Sequence, residues 1–87
     1  MSDTFVIKEY ITGNFAPDVS PHDLADDYDL LANGVIESLH LLRLIAWLGE
    51  RFDVNLEDAD VAPADFRTVS TIHATITELG AVPSAAN

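Results

Sequence analysis

The sequence predicts an all-α fold: a small four-helix bundle of three longer helices and one short one, with a long loop between the first two helices. Three observations support this. Apolar residues recur at helical spacing in three segments, no segment alternates as a half-buried strand would, and 87 residues suffice for a single core. A chain this short buries only about 60–65% of its unfolded surface, so it needs a dense apolar content. At 48% hydrophobic it has one.

In residues 3–13, Val6, Ile7, Tyr10 and Ile11 mark one face of a first helix, and Gly13 with Asn14 supplies a stop. Residues 14–37 carry Pro17, Pro21, Asn33 and Gly34 and no sustained period, so they form a long connection. Within it, Ser20, Pro21 and Asp23 spell a short helix start: a capping hydroxyl, proline at the first position and an acid at the third. A loop this long in a compact domain is usually functional, and Leu24, Tyr28, Leu30, Leu31, Val35 and Ile36 are expected to pin it to the core.

Residues 38–52, SLHLLRLIAWLGERF, form the strongest helix. A step of about 100° per residue puts Leu41, Leu44, Ile45, Leu48 and Phe52 on one core-facing arc, with Leu39, Arg43, Ala46 and Glu50 opposite and Leu42 and Trp47 on the flanks. Val54 and Leu56 are apolar pegs in the segment that follows, and Pro63 to Phe66 make one short helical turn. The last helix, 69–79, buries Val69, Ile72, Ile76 and Leu79, capped by Thr68 or Ser70 and ended by Gly80. Residues 1–80 form the domain and 81–87 an expected flexible tail.

Composition narrows the function. There is no cysteine, which excludes disulfides, thiolate metal sites and cysteine nucleophiles. No apolar run approaches the roughly 18 residues of a membrane span, and the start lacks a signal-peptide pattern, so a cytoplasmic protein without membrane contact is expected. The net charge of −11, from 15 acids against Lys8, Arg43, Arg51 and Arg67, repels a phosphate backbone and argues against nucleic acid. Basic protein partners fit better. Most of the acids read as a solvated surface.

Enzyme and metal chemistry find little footing. Ser38 and His40 are two residues apart on a helix, so their side chains diverge by about 200° and cannot form a nucleophile–base pair. His22, His40 and His73 have no paired metal-ligand spacing and are expected to be structural or surface residues. A calcium loop begun at Asp27 meets Leu31 at the fifth position and Ala32 where glycine belongs. One begun at Asp53 meets Asp58 where glycine belongs and Ala64 where a bidentate Glu belongs.

The stretch GVIESLHLL, residues 34–42, remains. A serine at a helix start is most often an N-cap. Here periodicity forces Leu39 outward, so an apolar side chain stands in solvent beside a hydroxyl that nothing nearby can deprotonate. Such a serine suits modification by another enzyme. The N–H groups and dipole of a helix start favour an attached phosphate, and a long flexible loop ahead leaves room for approach.

On Leu30, Leu31, Gly34, Val35, Ile36, Glu37, Ser38 and Leu39, and on helix order, length and acidity over nearly the whole chain, the sequence resembles the acyl and peptidyl carrier proteins. That resemblance implies a non-catalytic carrier. Ser38 would hold 4′-phosphopantetheine, flanked by Glu37 and Leu39 and installed by a phosphopantetheinyl transferase. The arm's thiol would carry acyl or aminoacyl groups for an adenylating or acyl-loading enzyme and for downstream synthase or tailoring enzymes. The family usually has aspartate before the serine, where this chain has Glu37. Fatty acid carriers show acids on the exposed face of the second helix, where this chain has Arg43, Ala46, Trp47, Gly49 and Glu50. Together with the run Pro63 to Thr68, this points to the discrete carriers of natural-product pathways. Val35, Leu39, His40, Arg43, Ala46 and Trp47 form the expected partner face of a stand-alone monomer. The alternative is a small acidic helical adaptor without a covalent group, docking a basic partner through Leu39, Arg43 and Trp47.

Overall fold

The structure, a computed structural model, describes residues 3–56 and 61–80. Three helices, α1 (Asp3–Phe15), α2 (Ser38–Phe52) and α3 (Val69–Glu78), are joined by connections that contain two single 3₁₀ turns, Pro21–Asp23 and Pro63–Phe66. The described residues contain no strand. The short fourth helix of the sequence reading is the second of these turns. The expected tail, and the acids Glu57, Asp58 and Asp60, lie outside the described residues.

Each helix contributes a narrow apolar stripe to one core. Ile7 and Ile11 come from α1, Leu44, Leu48 and Phe52 from α2, and Val69, Ile72 and Ile76 from α3, which packs against α1. The connections contribute Leu24, Leu30, Ile36, Val54, Leu56 and Phe66, all buried. Burying the loops' apolar side chains is how so small a domain completes its interior.

Local chemistry explains the boundaries. The first 3₁₀ turn starts at Pro21, with the Ser20 hydroxyl accepting from the His22 N–H at 3.3 Å. The second starts at Pro63, and Asp65 Oδ2 accepts from the Ala62 N–H at 2.8 Å. Thr68 caps α3: its hydroxyl accepts from the Thr71 N–H at 3.1 Å, while the Thr71 hydroxyl accepts from the Thr68 N–H at 3.0 Å. Gly80 then turns the chain at φ +83°.

Three expectations are corrected. α1 does not stop at Gly13 but continues to Phe15. Asn14 Nδ2 donates back to the Tyr10 carbonyl at 2.9 Å, and the Phe15 ring stacks on His40 of α2, so a local bond and a tertiary contact carry the helix through the glycine. Leu79, past the end of α3, is 40% exposed rather than buried, and Tyr28 is 41% exposed rather than an anchor of the loop.

The end of α2 makes a prediction. Asp53 adopts the left-handed conformation (φ 54°, ψ 50°), and the following Val54 N–H donates to the Gly49 carbonyl at 3.2 Å. A left-handed L-residue costs about 1–2 kcal/mol, while glycine adds about 0.4–1 kcal/mol of unfolded-state entropy. Asp53→Gly is therefore expected to raise stability by about 0.5–1 kcal/mol in urea unfolding. A loss of stability would show that the carboxylate makes a contact worth more than the strain.

Candidate functional site

The long connection ends in a hydrogen-bonded turn that aims the start of α2. Leu30, fully buried, donates its N–H to the Arg67 carbonyl at 2.7 Å, and its own carbonyl accepts from the Val35 and Ile36 N–H groups at 3.0 and 3.1 Å. Asp29 Oδ1 accepts from the Ala32 N–H at 2.8 Å, which closes the turn from its outer side. Gly34 reverses the chain at φ +74°, a conformation that favours glycine. Upstream, the Ser70 N–H donates to the Asp26 carbonyl at 3.0 Å, Lys8 pairs with Asp26, and Arg67 Nε lies 3.5 Å from Asp29 Oδ2. The stretch before Ser38 is thus tied to α1 and to the start of α3 and is not the slack segment expected from its length.

Glu37 follows in extended conformation (φ −108°) as the N-cap, and its side chain makes no capping bond. Ser38 is the first helical residue, exposed, and its hydroxyl has no hydrogen-bond partner among the described residues. Spacing alone favoured a capping serine; the cap falls one residue earlier, and the hydroxyl is left available. The first helical bond runs from the Leu41 N–H to the Glu37 carbonyl at 2.7 Å. Hence the Ser38, Leu39 and His40 N–H groups precede the ladder and face outward at the positive end of the helix dipole.

The expected partner face separates into exposed and packed members. Leu39 is 61% exposed, and Arg43 and Ala46 are also exposed. Arg43 forms no ion pair among the described residues. Val35 is half-buried against the core. The His40 ring stacks on Phe15 with centroids 4.5 Å apart, and its Nδ1 lies 3.2 Å from the Val35 carbonyl, which can only accept, so Nδ1 carries the proton. The Trp47 ring, half-buried, stacks on Tyr10 at 4.2 Å and meets Phe52 edge-on, so part of it packs into the seam between α1 and α2. That packing weakens the adaptor reading, which needed Trp47. Leu42, expected only on a flank, is the most exposed large apolar residue among those described, at 65%, and joins Leu39 one turn along α2.

A small helical frame whose second helix opens on an exposed, unbonded serine beside an outward leucine has the fold of a carrier protein. The structure is similar to that of apo KstB-PCP, with a TM-score of 0.80 at 38% identity over 99% of this chain and 94% of that one. It is also similar to the solution structure of KstB-PCP in kosinostatin biosynthesis, with a TM-score of 0.66 at 39% identity over 100% and 98% of the two chains. No protein-family model and no curated protein matches the sequence. The chain belongs to the peptidyl carrier proteins of natural-product biosynthesis.

Proposed function

We propose that Ser38 is the attachment point of 4′-phosphopantetheine, and that the chain presents acyl or aminoacyl groups to partner enzymes. The observation that supports this most strongly is the Ser38 hydroxyl, exposed at the first position of α2 and without a hydrogen-bond partner among the described residues.

The surrounding residues fit the group. The unpaired N–H groups of the first turn and the helix dipole suit a phosphodiester. The Glu37 carboxylate, making no capping bond, leaves those donors open. Leu39 offers apolar surface to the arm. In the modification, Ser38 Oγ bonds to the phosphorus of the phosphopantetheinyl group of coenzyme A, adenosine 3′,5′-bisphosphate departs, and the hydroxyl proton passes to a base of the transferase. Among the described residues no side chain is hydrogen-bonded to Ser38 Oγ, so the base is assigned to that enzyme. When bound, the group supplies a thiol that holds cargo as a thioester, chemistry that a chain without cysteine lacks. The chain's own part is to fix the serine on a rigid helix end and to present a docking face, without catalysing a reaction. With coenzyme A as the donor, a cytoplasmic monomer is the expected form. The expected partners are the transferase, an adenylating or acyl-loading enzyme, and synthase or tailoring enzymes.

The direct test is to incubate the protein with coenzyme A, magnesium and a broad-specificity transferase and to measure the intact mass. Docking makes a separate prediction. Burying one exposed leucine in a partner pocket is worth about 1.5–3 kcal/mol, so Leu42→Ser is expected to raise the KM of the transferase or loading enzyme about tenfold or more with kcat little changed. Its stability is expected to be unchanged because the side chain is exposed. An unaltered KM with every partner tried would remove Leu42 from the interface.

A further inference from the structure

The amino end of α2 is left open by the two residues best placed to close it. Glu37, at the N-cap, makes no capping bond, and the Ser38 hydroxyl has no partner among the described residues. His40 ties that end down instead. It occupies the third helical position, from which a glutamate or glutamine of a capping box reaches back to the N-cap N–H. The imidazole reaches further back and does so as a donor: Nδ1 bonds to the Val35 carbonyl at 3.2 Å, five residues upstream. Its face stacks on Phe15, the last residue of α1, with centroids 4.5 Å apart and planes 21° apart. Val35 is itself fixed, since its N–H donates to the Leu30 carbonyl at 3.0 Å and its half-buried side chain packs on the core.

Val35 and His40 lie on either side of Ser38 in the chain, so a bond between them holds the backbone before and after the hydroxyl. A serine or aspartate cap would fix the helix end too, but by occupying one of its free N–H groups. The His40 bond uses a side-chain donor and an upstream carbonyl, and leaves the N–H groups of the first turn open. Resting on the assignment of Ser38 as the attachment point, we propose that His40 is a positioning residue for the modification of Ser38: its bond to Val35 sets the direction in which Ser38 Oγ meets the transferase while leaving the first-turn donors to the phosphodiester. His40 acts through the backbone and takes no part in the chemistry. Its effect therefore falls on rate, because a reacting atom misplaced by about 1 Å can cost about a hundredfold. Leu42, an exposed contact, is expected to act on KM instead.

The test compares two variants. His40→Phe keeps a ring to stack on Phe15 but has no donor for the Val35 carbonyl; His40→Asn loses the ring and keeps a donor, since its Nδ2 stands where the imidazole Nδ1 does. Folding is checked by circular dichroism, and transfer from coenzyme A by a broad-specificity transferase is followed by intact mass. In His40→Phe, kcat is expected to fall about tenfold with KM unchanged, and His40→Asn is expected to match the wild type within about twofold. The imidazole nitrogen resonances of the wild type are expected to place the proton on Nδ1. An unchanged kcat in folded His40→Phe, an equal loss in His40→Asn, or a loss confined to KM would overturn the positioning role while leaving the attachment intact. No mass gain on the wild type would overturn the attachment and the positioning role with it. If His40→Phe does not fold, the other two readouts decide: a neutral ring with its proton on Nε2, or a tenfold lower kcat in folded His40→Asn, would overturn the role.

Discussion

With coenzyme A and a transferase the wild type is expected to gain one phosphopantetheine mass, and Ser38→Ala is expected to abolish that gain and to leave the fold intact. The two halves of that expectation come from the same geometry. Ser38 is exposed and its hydroxyl bonds to nothing among the described residues, so removing it leaves no unsatisfied partner. The cap of α2 is Glu37, whose extended backbone is untouched by the change. The cost to stability should stay within about 0.5 kcal/mol, the range of surface substitutions. A serine that capped its helix would behave differently, since replacement by alanine costs about 1 kcal/mol. Unfolding and mass therefore separate the two roles: an unmodified but equally stable variant supports attachment, whereas a modified variant would place the group on another residue.

Phe52→Ala is expected to have the largest effect on stability. Phe52 is fully buried at the last turn of α2 and meets the edge of Trp47, which in turn stacks on Tyr10 of α1. Truncating a buried phenylalanine costs about 3–5 kcal/mol. A domain of 87 residues has a total of about 4–13 kcal/mol at 0.05–0.15 kcal/mol per residue. The variant is expected to be marginal, with its urea midpoint lowered by about 1 M or more in circular dichroism. Circular dichroism is preferable to tryptophan fluorescence because the substitution alters the surroundings of Trp47 directly. A loss below about 1 kcal/mol would contradict the close packing of the α1–α2 seam. Modification of the variant should fall with its folded fraction, because the orientation of Ser38 depends on an intact α2.

Much of the architecture was legible in the chain. α2 runs from Ser38 to Phe52 as its periodicity predicts, because a long amphipathic run with a strong apolar stripe leaves little freedom in its boundaries. The turns at Pro21 and Pro63 follow from proline's fixed φ and from the caps beside it. Val54 and Leu56 are buried as expected. The exposed Leu39 beside Ser38 was likewise readable, since the face opposite a buried stripe must meet solvent.

Leu42 and Trp47 show where that kind of reading stops. Both lie about 100–120° from the centre of the core face of α2, on opposite flanks, and periodicity treats them alike. α1 covers the Trp47 flank through Tyr10, while Leu42 remains 65% exposed. A helical period fixes which direction a side chain points but not which neighbour lies there. The Leu30 turn shows the same limit: its bond to the Arg67 carbonyl links residues 37 positions apart, and no local pattern encodes such a pairing.

By itself, the order of residues determined three amphipathic helices, the apolar set that fills one interior, and a hydroxyl at the amino end of the second helix; each follows from periodicity and capping chemistry over a few turns. Only the tertiary structure decided that the preceding connection is held by distant backbone groups, that tryptophan is half-covered by the first helix and leucine bare, and that a cavity opens beside the first helix. Those outcomes depend on which surfaces meet across the core, and contacts between distant segments are set by the packing of the whole chain.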